Sequence, residues 1–268
     1  MQLSRPIGVF DSGVGGLTVV KSLMERLPNE KIIYFGDTAR VPYGVKSVEA
    51  IRHFSAQIAE FLLKQKVKIL VIACNTIAAV ATEHIKKIAK DLPVLNVIES
   101  GAKAATLYTQ NHAIGVMATQ ATIKSGAYTQ AIHKIQPNCR VYSQVCPLFV
   151  PLVEEGLLNH PATLLMAKEY LEFIKTEPVD VLLLGCTHYP LLIPLLKQLT
   201  NERLCWVDPA ITTAEEVASL LKESHLLNPS QAIPEHQFYV SDIPLKFQAI
   251  AEQFLGYRLQ KLQLARLD

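Results

Sequence analysis

The chain has 268 residues, half of them hydrophobic, a formal net charge of +2 and five cysteines. That length and apolar share favour two modest domains or one large one and exclude a disordered chain. The charge is small and dispersed, no apolar run reaches bilayer-spanning length, and the odd cysteine count lacks framework spacing. These facts argue against nucleic-acid binding, a transmembrane segment and a disulfide scaffold, and they predict free thiols in a reducing cytoplasm.

Strand and helix signals alternate along the chain. Residues 6–10 read as a strand, and Asp11-Ser-Gly-Val-Gly-Gly16 turns into a helix over 17–27. A strand at 31–35 leads to a loop through Pro42-Tyr43-Gly44, then a helix from about 48 to 65. The run Ile69-Leu-Val-Ile-Ala reads as a buried strand ending at Cys74, with a helix to Lys90 and a short strand at 93–97. Residues 99–109 read as a connecting helix. The theme then repeats: strand 113–117, helix 121–133, strand 140–144, helix 161–175 and strand 180–185. A strand at 204–207 follows, Asp208-Pro209 breaks the chain, and a helix near 212–224 precedes an amphipathic end over 245–267. The chain begins almost directly at its first strand, which predicts no signal peptide. Alternating strands and helices predict parallel sheets built from βαβ units, an α/β fold.

Two apolar runs end in a cysteine followed by small polar residues: Ala73-Cys74-Asn75-Thr76 and Gly185-Cys186-Thr187-His188. Ile7-Gly-Val-Phe-Asp11-Ser12-Gly13 likewise resembles Ile114-Gly-Val-Met-Ala118-Thr119-Gln120. From residue 7 to 114 is 107 residues and from 74 to 186 is 112, so two pairs of segments share nearly one spacing. Any two buried strands look alike, but matched order and spacing argue for an internal duplication.

A free cysteine is most often a small core hydrophobe, and Cys139, Cys146 and Cys205 are read that way. A matched pair at strand ends points instead to two thiols acting on one substrate from opposite sides. A thiolate can take a proton from carbon and a thiol can return one, and a helix N-terminus favours the thiolate. Asn75, Thr76 and Thr187 can bind a carboxylate at a helix start or simply cap it. Asp11 can hold an ammonium group or tune a thiol, and His188 can serve Cys186 in the same way. The glycine-rich turn lacks a Walker ending, Val80 and Leu192 stand where a phosphatase loop needs arginine, and no Cys-x-x-Cys pair supports zinc.

Phe10-Asp-Ser-Gly-Val-Gly-Gly-Leu-Thr18, Asp37-Thr-Ala-Arg-Val-Pro-Tyr-Gly44, Ala73-Cys-Asn-Thr76 and Gly185-Cys-Thr-His-Tyr-Pro190 together resemble the motifs of the bacterial glutamate racemases. These belong to the cofactor-independent aspartate/glutamate racemases. The resemblance covers the whole chain in order, with no departure at the main motifs. It implies interconversion of L- and D-glutamate, supplying D-glutamate for peptidoglycan, with no cofactor and no metal. It implies two pseudo-symmetric α/β domains, 1–97 plus 209–268 and 98–208, with mostly parallel sheets and the substrate in the cleft between them. Carried over by position, Cys74 works on the D enantiomer and Cys186 on the L, assisted by Asp11 and His188. Ser12, Tyr43, Gly44, Asn75, Thr76, Thr119 and Thr187 match substrate contacts, and Asp37 and Glu154 match acidic positions near the site. A homodimer without nucleic-acid or membrane partners is implied. Some members carry an N-terminal extension associated with activation by a peptidoglycan precursor, and a chain starting at its first strand is not expected to be regulated that way.

Three alternatives separate by experiment. An aspartate or hydantoin racemase would use the same thiols on a substrate of different length. A binding protein on the same fold, for example one acting on a topoisomerase, would have no need of matched thiols. A pyridoxal-phosphate racemase would show a cofactor absorbance band.

Overall fold

The computed structural model describes residues 3–200, 202, 204–243, 247–259 and 261–267. The chain divides into two compact units, Met1–Val97 with Ala210–Asp268, and Ile98–Pro209.

In the first unit, β1 (Ile7–Asp11) leads to α1 (Leu17–Arg26), and β2 (Ile32–Gly36) leads through two short 3-10 turns to α2 (Val48–Lys64). Ser47 starts α2 as its N-cap, its side chain accepting the Ala50 N–H. Then come β3 (Ile69–Ile72), α3 (Asn75–Ala89) and β4 (Val94–Asn96). β1, β2 and β3 are buried at every position, as strands covered on both faces must be, and that is why they read as unbroken apolar runs.

In the second unit, α4 (Val97–Tyr108) leads to β5 (Ala113–Ala118), α5 (Gln120–Ser125), α6 (Ala127–Ile135), β6 (Arg140–Val145) and α7 (Phe149–Glu154). α8 (Pro161–Tyr170), α9 (Phe173–Thr176), β7 (Val181–Gly185), α10 (Ile193–Gln198) and β8 (Cys205–Val207) complete it. The chain returns to the first unit with α11 (Pro209–Glu223), β9 (Gln237–Val240), α12 (Phe247–Leu255) and β10 (Leu262–Leu264).

Both sheets are parallel throughout. The second runs β6-β5-β7-β8, and the first runs β10-β9-β2-β1-β3-β4. The last four strands of the first sheet have the strand order of the whole second sheet, with β1 matching β5 and β3 matching β7. These are the two pairs of segments that the sequence repeat joins. In each sheet the chain leaves the first strand on one side and returns on the other, so the first and third strands flank a topological switch point. Open α/β sheets bind ligands just beyond the carboxyl ends of strands at that point.

Several elements depart from the sequence reading. The helix expected over 121–133 is two helices, because Gly126 takes φ +67° and caps α5 in the left-handed region. The helix expected over 161–175 stops at Tyr170 and resumes as one turn. Pro209 opens α11 rather than ending structure, since the first helical turn needs no N–H from it. α7, α10 and β9 have no counterpart among the expected elements. The amphipathic end at 245–267 is a helix and an edge strand, with 245, 246 and 260 outside the described residues. No helix among the described residues is long and apolar enough to cross a membrane.

Candidate active site

The first unit places five expected residues, Asp11, Ser12, Cys74, Asn75 and Thr76, at the carboxyl ends of β1 and β3. Asp11 is the last residue of β1, and its Oδ2 accepts the Gly13 N–H at 2.8 Å. That bond folds the turn back over the strand end. Tyr34, buried on the adjacent β2, donates its hydroxyl to the Gly13 carbonyl at 2.6 Å and pins the turn from beneath. Ser12 then faces Cys74, whose Sγ lies 3.4 Å from Ser12 Oγ.

Cys74 is the N-cap of α3 and is almost wholly buried. Burial above all, with the Asp11 carboxylate second, pushes its thiol up to about 12, while hydrogen bonding to Ser12 and to the Ile77 backbone opposes the shift. The protonated thiol is therefore its resting form. Asn75 and Thr76 form the first turn of α3, where the positive end of the helix dipole favours an anion.

Tyr43 and Gly44 lie on a 3-10 turn, Tyr43–Val45, after a cis Val41–Pro42 bond. Tyr43 is buried and donates its hydroxyl to Asp37 Oδ2, whereas Gly44 is exposed. Asp37 is fully buried, and Arg40 Nε donates to it at 2.6 Å. The structure thus gives Asp37 the task of holding the loop from 37 to 45.

The second unit builds a matching arrangement on β5 and β7. Thr119 follows β5 and caps α5, its Oγ1 lying 3.1 Å from that of Thr122. Cys186 follows β7 and is buried. Its Sγ lies 3.8 Å from His188 Nδ1, and Thr187 Oγ1 lies 3.4 Å from the same nitrogen. On the other side of the ring, His188 Nε2 meets Glu154 Oε1 at 2.8 Å. Burial pulls the His188 imidazole down, but its bonds to Cys186 and Glu154 outweigh this and hold it up at about 10. The cysteine, histidine and carboxylate therefore form a chain within one unit.

A buried aromatic cluster supports that chain. Phe149, the first residue of α7, packs edge-on against Tyr189 at 5.3 Å and Tyr170 at 5.0 Å. Tyr189 donates its hydroxyl to the Cys146 carbonyl at 2.7 Å, and the buried Cys146 thiol is pushed up mainly by burial. These contacts fix α7, whose last residue is Glu154. Sequence reasoning gave no role to Tyr34 or Phe149, because neither sits in sequence near the residue it positions, and it quoted Tyr189 only as part of its motif. Among the described residues no group of three or more His, Cys, Asp or Glu side chains can hold a metal ion.

The profile of the Asp/Glu/Hydantoin racemases matches residues 7–217, a span that contains both cysteine motifs. The chain belongs to this racemase family. Within it, the glutamate racemase of Syntrophus aciditrophicus is 55% identical over 263 residues, covering 98% of this chain and 97% of that protein. The glutamate racemase of Neisseria meningitidis serogroup B (strain MC58) is 55% identical over 264 residues with the same coverage. The crystal structure of glutamate racemase from Francisella tularensis in complex with D-glutamate is 47% identical, with a TM-score of 0.93 over 99% of both chains. An aspartate racemase from Picrophilus torridus is only 18% identical at a TM-score of 0.58, covering 84% of this chain and 99% of that one, a likeness of fold alone.

Proposed function

We propose that this chain interconverts L- and D-glutamate by moving protons at the α-carbon with two thiols and no cofactor, and that it supplies D-glutamate for peptidoglycan. The observation that carries this reading is the matched pair of half-sites. Each unit ends the third strand of its repeat in a buried cysteine beside a partner that influences it, Ser12 and Asp11 in one and His188 in the other. Identity of 55% to named glutamate racemases over nearly the whole chain supports glutamate over aspartate as the substrate.

Inverting an α-carbon requires a proton to leave one face and another to arrive at the opposite face. Two fixed groups do this without a base having to move around the substrate. In our reading Cys74 rests as the thiol, because burial and Asp11 hold its proton. Cys186 has the protonated His188 imidazole 3.8 Å from its sulfur, a cation placed beside the group that takes the proton from L-glutamate. With L-glutamate, the Cys186 sulfur takes the α-proton and the Cys74 thiol delivers its own to the other face, giving D-glutamate. The reverse reaction exchanges these roles. The α-carboxylate is held by backbone N–H groups at the start of α3, with Ser12, Asn75, Thr76, Thr119 and Thr187 as the other polar contacts. Tyr43 and Gly44 complete the substrate contacts. The reading includes domains of 1–97 plus 209–268 and 98–208, and a cytoplasmic homodimer, on the family resemblance.

The test is the purified chain with L-glutamate in deuterated water, without added cofactor. Optical rotation should decay to zero while NMR shows the α-proton replaced by deuterium. Cys74→Ser and Cys186→Ser should each slow this by about 10³-fold or more, the scale of a lost acid or base. Full racemisation by either variant would end the two-thiol mechanism. Turnover of aspartate but not glutamate would favour the sister activity, and inertness toward both would favour a binding role.

A further inference from the structure

The loop that carries Tyr43 and Gly44 is fastened by residues from the other end of the chain. β9 pairs in parallel with β2, so Ser241 emerges beside Asp37, and its N–H donates to the Gly36 carbonyl at 3.2 Å. Ser241 Oγ donates to Asp37 Oδ1 at 2.7 Å and accepts the Ala39 N–H at 2.9 Å. Next to it, the Asp242 N–H donates to Thr38 Oγ1 at 2.9 Å, and the Thr38 hydroxyl donates to the Asp242 carbonyl. Four consecutive positions of the loop base, 36 to 39, are thus bonded to residues 241 and 242.

Asp37 transmits this fastening. Its carboxylate is fully buried, and a buried charge requires its acceptor sites to be filled. Tyr43 and Arg40 fill Oδ2, and Ser241 fills Oδ1. The Arg40 guanidinium is in turn held by Gln57 at 2.6 Å and lies 4.2 Å over the Phe54 ring, and the Tyr43 ring packs 6.0 Å from that same ring. Rotation of the Asp37 carboxylate would therefore shift the Tyr43 hydroxyl directly. Among the described residues, Ser241 donates to this carboxylate from outside the loop, whereas Tyr43 and Arg40 belong to it.

We propose that Ser241 is a positioning residue for the racemase reaction: through Asp37 it fixes Tyr43, and so sets the turn at Tyr43 and Gly44 that contacts the substrate. The proposal rests on the function proposed above, which assigns that turn to glutamate. Ser241 itself touches no substrate in this account. It acts on how well glutamate is held, not on the proton transfers.

Ser241→Ala leaves Asp37 Oδ1 without this donor and the Ala39 N–H without its acceptor. The expected result is a rise in KM of about tenfold for both enantiomers, the scale of one lost hydrogen bond to a charged group, with kcat within about twofold of the parent. Ser241→Thr, which keeps the hydroxyl, should return KM to within about threefold. In a Tyr43→Phe background, where Asp37 no longer has that hydroxyl to orient, Ser241→Ala should raise KM by less than about twofold, because the two changes break one connected chain. Three results would overturn the proposal while leaving the racemase reading intact: an unchanged KM in Ser241→Ala, a full tenfold effect in the Tyr43→Phe background, or a fall in kcat at constant KM that follows a lowered melting temperature. A parent chain inert toward glutamate would overturn the underlying function, and the parent assay reports that before any variant is made.

Discussion

Replacing Glu154 with Gln tests the chain of contacts behind Cys186. The Glu154 carboxylate lies 2.8 Å from His188 Nε2, and the amide of Gln can still accept a hydrogen bond there without the charge. His188 is held at about 10 against an ordinary value of 6.5, and the bonds to Cys186 and Glu154 together produce the rise against the opposing pull of burial. Glu154 is the more screened of the two partners, since its side chain is 41% exposed. A hydrogen bond to a charge this screened contributes about 1 kcal/mol, so His188 in the variant loses its proton at a lower pH than in the parent. At pH 8 both proteins keep the imidazolium, so kcat/KM should agree closely. At pH 10.5, above the His188 value, the variant should be about fourfold slower, the factor that about 1 kcal/mol sets there. Enantiomers have equal free energies in water, so kcat/KM must fall equally in both directions, which serves as an internal control. A ratio of variant to parent that stays constant from pH 7 to 10.5 would refute the argument, because it would mean that the Glu154 charge does not tune His188. Stability should follow the same linkage. A folded-state value above the unfolded 6.5 gives stability that is fully present below pH 6.5 and is lost as pH rises through about 10. The variant should show a shallower loss over that range in urea melts.

Two further substitutions test the frame around the sites. Gly185 directly precedes Cys186, and a Cβ there would lie 2.8 Å from both Ala118 Cβ and Tyr128 Cε2. Gly185→Ala should cost about 1–3 kcal/mol in urea unfolding and lower kcat through displacement of Cys186, so stability within about 0.5 kcal/mol at full activity would contradict the packing argument. At the other end of β3, the wholly buried Lys68 Nζ meets Glu30 Oε2 at 2.6 Å and donates to the carbonyls of Leu3 and Leu226 at 2.8 Å. Lys68→Met strands the Glu30 charge and should cost about 3–5 kcal/mol, with the kinetics of the folded fraction unchanged. A loss below about 1 kcal/mol would show that the pair does not hold the strand ends together.

Much of this protein was legible in the sequence because burial leaves a local signature. The strands at Ile7, Ile32, Ile69, Ala113 and Val181 are covered on both faces, so each had to be a short run of apolar residues. The cysteines announced themselves because each ends such a run and precedes a polar turn, and their spacing exposed the repeat that the two sheets share in strand order. Gly126, which interrupts the helix expected over 121–133, takes a positive φ that glycine adopts without strain, so it ends α5 where the surrounding apolar pattern runs on.

What the sequence did not determine is which distant segments meet. β9 is four residues, Gln237–Val240, half-buried at alternate positions, and only its pairing with β2 makes it a strand. α7 is six residues with a proline inside, too short for a helical period to show, yet it carries Glu154 to His188. Ser241 and Asp37 are 204 positions apart, and nothing near either residue marks the other. Local periodicity records how deeply a residue is buried, because each residue's own side chain must suit its surroundings. It does not record the partner. A serine satisfies its hydrogen bonds equally well with water or with a buried carboxylate, and the folded sheet alone decides which it meets.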